Sequence, residues 1–147
     1  MNYDFGIFRA AGRAAALELR GAAKELDGTE IIERERDIPD FDPQKDYSRW
    51  SVCAPVRDEG QVWLLLQPYN AAHYAGRPSA LRAMWGLAHT KNPEHAKPWV
   101  DAYGTSGMYM TDECYIDEDG VVWRCKQDNT IHTAAAYPQG WEAVEGV

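Results

Sequence analysis

The sequence predicts a mainly β protein with an N-terminal helical segment, the β part consisting of two tandem hairpin-based modules. Helical periodicity is confined to the first 46 residues. Aromatic and β-branched residues between turn signals follow. One stretch of the chain then returns sixty residues later, and an internal repeat of this kind constrains a fold more than any local propensity. The expected organisation is a helical segment over 1–46, a first β-module over 47–97 and a second over 98–147.

In the first segment Phe8, Ala11, Ala15, Leu19, Ala22 and Leu26 recur at steps of three and four, one face of a helix. Asp27-Gly28 should end it, with Gly28 just beyond the last turn. Thr29 is then positioned to cap a second short helix running to Arg36. Pro39, Asp40, Asp42 and Pro43 break the chain.

The repeat aligns Val56-Arg57-Asp58-Glu59-Gly60-Gln61-Val62-Trp63 with Ile116-Asp117-Glu118-Asp119-Gly120-Val121-Val122-Trp123. Gln67 falls on Gln127, and with one deletion Asn70 falls on Asn129 and His73 on His132. Each copy closes on a Trp, Trp85 and Trp141. An acidic residue and Gly between apolar runs is a hairpin signal. With Glu59-Gly60 and Asp119-Gly120 as two-residue loops, Val56 faces Trp63 and Ala54 faces Leu65. In the second copy Ile116 then faces Trp123 and Cys114 faces Cys125. Cross-strand partners share a sheet face, so Val56, Ile116 and the four repeat Trp (Trp63, Trp85, Trp123, Trp141) are the expected core. On the opposite face the second copy shows Val122, Arg124 and Lys126, and the first shows Val62, Leu64 and Leu66. A strand apolar on both sides must be covered on both sides; the N-terminal helix or a partner subunit would cover the first hairpin.

The net charge of −8 disfavours nucleic acid as a partner. The charge is uneven: residues 47–97 carry six basic against three acidic side chains, and residues 98–147 two against nine. That asymmetry favours contacts between modules or between copies. There is no apolar run long enough for a membrane span and no signal-peptide pattern at the start, so synthesis in the cytoplasm is expected.

No motif for catalysis, metal or cofactor binding emerges, and the protein is read as non-enzymatic. His73 and His132 occupy matched repeat positions, and no Cys or His spacing suits a metal. Asp117, Glu118 and Asp119 fall at a hairpin tip, where Asp and Gly serve the turn; a glycosidase needs two carboxylates across a cleft and stays a remote alternative. The expected register would allow a Cys114–Cys125 disulfide in an oxidising setting. Their repeat equivalents, Ala54 and Leu65, favour free apolar thiols instead. Trp99, Tyr103 and Tyr109 before the second hairpin, and Tyr69 and Tyr74 after the first, are the candidate glycan-stacking residues.

The repeated unit resembles the small chitin-binding-type carbohydrate-binding modules of families five and twelve. The shared pattern reads Tyr47, Trp50, Val56, Gly60, Trp63, Pro78 and Trp85 in the first copy. It reads Trp99, Tyr109, Ile116, Gly120, Trp123, Pro138 and Trp141 in the second. The resemblance covers roughly residues 46–145. In tandem behind a helical start, with Lys97-Pro98-Trp99-Val100 and a closing Gly-Trp-Glu, the modules look like accessory proteins of phage or prophage tails. That resemblance implies a structural or adhesion role in a virion tail, with other copies or tail proteins as partners and a cell-surface glycan as a second ligand. It departs at one point. Where chitin-binding relatives carry tandem exposed Trp, this chain has Lys126-Gln127 and Gln67-Pro68. A genuine chitin or cell-wall sugar module is therefore the alternative.

Overall fold

The computed structural model describes residues 13–146. The fold is mainly β, with two sheets behind an N-terminal helical segment. Helix α1 includes residues 13–22 and is followed by a 3-10 turn at Ala23–Glu25 and a short helix, α2, at Gly28–Glu33. Phe8 and Ala11 lie outside the described residues. Asp27, rather than Thr29, caps α2: its carboxylate accepts the Glu30 N–H at 2.8 Å while Glu30 accepts the Asp27 N–H, a reciprocal box. Gly28 is therefore inside a helix and not beyond the end of one. A Cβ there would sit 2.4 Å from the His89 carbonyl oxygen, so only glycine lets α2 lie against the chain that joins the modules.

The first sheet has strands β1 (Pro55–Asp58), β2 (Gln61–Leu65) and β3 (Trp85–Leu87) in that order. Val56 faces Trp63, and Asp58 faces Gln61 around the two-residue loop. Both loop residues have positive φ, 53° at Glu59 and 76° at Gly60, as the twist of a tight hairpin demands. One face packs Phe41, Tyr47, Tyr69 and Trp85 around Trp63. The other packs Val62 and Ala88 against Leu19, Ala23, Ile31, Ile32 and Ile38. The doubly apolar β2 is thus covered on its second face by the helical segment of its own chain.

The second sheet orders β4 (Lys97–Pro98), β5 (Cys114–Ile116), β6 (Val122–Cys125) and β7 (Trp141–Val144). Its hairpin corrects the expected register by one residue. Tyr115, not Ile116, faces Trp123, and Cys114 faces Arg124. The cause is Asp117. Its side chain accepts the N–H groups of Asp119 and Val121, both at 2.9 Å, and opens the loop to Glu118-Asp119-Gly120. Gly120, at φ 82°, takes the left-handed position that such a three-residue loop requires. Cys114 and Cys125 therefore point to opposite faces, which rules out the bridge that the expected register would allow, and all three cysteines are free, as their apolar repeat equivalents favour.

With this register the repeat extends further than the sequence showed. Leu65 pairs with Trp85, and Cys125 pairs with Trp141. Asp40 lies parallel to Arg57 as Pro98 lies parallel to Ile116, so Phe41 corresponds to Trp99. The rings repeat too. Phe41 stacks on Tyr47 at 5.9 Å and Trp99 on Tyr109 at 4.9 Å. Tyr47 and Tyr109 meet the closing Trp edge-on at 5.4 and 5.3 Å. The first module thus draws in residues 39–41, upstream of the expected start at 47.

Gly28→Ala should lower unfolding stability by about 2–3 kcal/mol, the cost of forcing atoms into packed backbone. Gly60→Ala, open to solvent but at positive φ, should cost about 1 kcal/mol. Urea unfolding of the two variants checks the ranking.

Candidate functional site

A cleft of about 730 Å³ opens on the second module. Trp99, Tyr115 and Trp123 form its aromatic wall, and Asp117, Glu118 and Asp119 form its rim. The lining contains no Lys, Arg or His. The Trp123 indole N–H donates to Asp117 Oδ2 at 2.9 Å, and the Trp99 indole donates to Asp101 at 2.7 Å. The Tyr115 hydroxyl accepts the Ala134 N–H at 2.9 Å. Each ring is thus held by its polar end; Trp99 and Trp123 are half-buried and can offer a face, whereas Tyr115 is buried beneath them. The Asp117 carboxyl is held below its ordinary pKa by the Trp123 indole first and the backbone N–H groups next. Asp117 therefore keeps its negative charge.

The first module has the corresponding pocket, about 440 Å³, between Asp40, Phe41, Arg57, Asp58 and Glu59. By sheet register these stand where Pro98, Trp99, Ile116, Asp117 and Glu118 stand in the second. The contents differ. Arg77 pairs with Asp58 inside this pocket, and the Arg82 guanidinium lies 5.3 Å above the Trp63 ring. Trp63 is buried, whereas Trp123 is half-buried and open to its cleft. The loops explain the difference: seventeen residues separate Gln67 from Trp85, and thirteen separate Gln127 from Trp141. The longer loop supplies both arginines.

Of the candidate stacking residues, only Trp99 lines the cleft. Tyr69 and Tyr109 are core residues, 5% and 1% exposed, and so cannot offer a face to a ligand. Tyr74 and Tyr103 are exposed, Tyr74 against Tyr69 and Tyr103 on a separate turn, and neither lies in the cleft. Among the expected core residues Val56, Trp63, Trp85 and Trp141 are buried. Trp123 and Ile116 are half-buried and form cleft wall instead.

His89, in the chain that joins the modules, is buried, with Nδ1 3.2 Å from Glu113, and its ring stacks on Tyr109 at 3.6 Å. Tyr109 stacks in turn on Trp99, so a column of three flat rings runs from the inter-module junction to the cleft. The adjacent Thr90 carbonyl accepts the Cys114 N–H at 2.8 Å and joins the sheets, a long-range contact that the local sequence does not signal.

The cleft places aromatic faces beside carboxylates. Cys114 is buried, which pushes its thiol pKa up, the reverse of an activated nucleophile. Among the described residues no three His, Cys, Asp or Glu side chains are placed to hold a metal ion, and no helix is long and apolar enough to cross a membrane.

The two turn aspartates should titrate apart. Burial raises Asp58 above the ordinary carboxylate value of 3.8 against the pull of Arg77, while hydrogen bonds lower Asp117 below it. The charged form of Asp117 thus adds stability above its unfolded pKa, and this is lost as pH falls through the folded value. For Asp58 the sign reverses, and its contribution is lost as pH rises through the raised value. Carboxyl-carbon NMR should place the Asp58 midpoint above that of Asp117; coincident midpoints would contradict the two environments.

No protein-family model matches this chain, and a search of curated proteins finds no match.

Proposed function

We propose that the protein is a non-enzymatic structural or adhesion component of the phage-tail kind, which holds a partner protein in the cleft of its second module. One observation carries this reading. Two modules of the same build differ in that the first sets Arg77 in a smaller pocket and Arg82 on its Trp63 ring, while the second has a larger cleft with no basic lining residue and a half-buried Trp123. The first module, with helices on one face and the second module's lead-in against its hairpin, acts as the support. Gln61 of β2 donates to the Pro98 carbonyl at 2.8 Å across that junction.

A second reading, attachment to a surface glycan, is favoured by the Trp99 and Trp123 faces, since indoles stack on sugar rings. The chitin platform of the resembling modules has no counterpart here: Gln67, Pro68, Lys126 and Gln127 are exposed and none is aromatic.

Replacing Glu118 with the photo-crosslinker p-benzoylphenylalanine tests the assignment in the assembled particle. The expected result is a discrete protein adduct from position 118 and none from the same label at Tyr74 on the first module. No protein adduct from 118, together with capture on a glycan array that Trp123→Ala abolishes, would replace the partner protein with a glycan.

A further inference from the structure

The first module records what its cleft is built to hold. Two arginines of its long loop meet the groups that match the second module's cleft, Arg77 within the pocket and Arg82 on the Trp63 ring outside its lining. Arg82 covers Trp63, with its guanidinium 5.3 Å from the ring centroid, within cation–π range. Arg77 binds the turn aspartate, Asp58.

The second module keeps both acceptors and lacks both donors. Trp123 stands where Trp63 does, and Asp117 where Asp58 does. The Gly140 carbonyl accepts the Lys126 N–H as the Met84 carbonyl accepts that of Leu66, so Pro138 falls at the place of Arg82. The shorter loop has no counterpart of Arg77. Among the described residues, no hydrogen bond or ion pair engages the side-chain carboxylates of Glu118 and Asp119. Residues 98–147 carry nine acidic and two basic side chains.

We propose that the second-module cleft binds an arginine side chain of the partner protein, its guanidinium lying on the Trp123 face and paired with the Asp117–Asp119 rim. The partner supplies in trans what the loop of the first module supplies in cis. A flat guanidinium suits this site because it stacks on an aromatic face and still offers edge N–H donors to carboxylates. The inference rests on the reading that this cleft is the binding site.

The probes are N-acetyl-arginine amide and its neutral isostere, N-acetyl-citrulline amide, with an N-acetylglucosamine tetramer as the sugar. The full chain is titrated with each, following the indole N–H signals of Trp99 and Trp123 by NMR. The arginine probe should shift the Trp123 signal and bind at least about tenfold more tightly than citrulline. Raised salt should weaken it, and Glu118→Gln with Asp119→Asn should weaken it without altering the spectrum of the free protein. Citrulline or the sugar binding as well as arginine would overturn the arginine assignment and leave the cleft as the site. No shift of either indole with any of the three probes would overturn both.

Discussion

Strand β2 has apolar side chains on both faces, and the arrangement of the molecule follows from that. Val62 and Trp63 are next to each other, point in opposite directions, and are 0% and 1% exposed. A strand of this kind is stable only between two layers. The N-terminal helices form one layer through Ile31, Ile32 and Ile38, and the aromatic cluster around Trp85 forms the other. The first module is consequently committed to internal contacts. The second sheet has half-buried Arg124 beside Val122 and a half-buried Trp123, and it is free to face outward.

The divergence of the two copies comes down to a few residues at two loops. One extra residue at the second hairpin converts a tight turn into one organised by Asp117. That carboxylate then anchors the Trp123 indole, where Trp63 has only the Asp58 backbone carbonyl, at 3.2 Å. Four fewer residues before the closing Trp leave no counterpart of Arg77, and Pro138 stands in the place of Arg82. Together they separate a smaller pocket lined by two arginines and four carboxylates from a larger aromatic cleft with an acidic rim and no basic residue.

Much of this architecture was legible in the sequence. The β2 pattern required a second cover, and the first hairpin register followed from Glu59-Gly60, because a two-residue acidic-Gly loop has few alternatives. The second register was not legible. An ungapped alignment hides an inserted loop residue, and the competing signal was the capacity of Asp117 to bond its own backbone. The upstream part of the repeat was hidden because Phe41 and Trp99 share a role but little local sequence. The cleft was the least legible feature. Trp123 reads as core by analogy with Trp63, and what separates a covered indole from an open one is Arg82, where the second module has Pro138. Tyr69 and Tyr109 misled for the converse reason: aromatic residues beside a hairpin look the same in sequence whether they fill a core or face water.

Hydroxyl-radical footprinting of the intact protein, read residue by residue by mass spectrometry, tests the central claim most directly. Trp99 and Trp123 should oxidise readily while Trp63 and Trp85 stay protected. Trp63 oxidising as fast as Trp123 would mean that its ring is not covered, and the contrast between the two modules would fail.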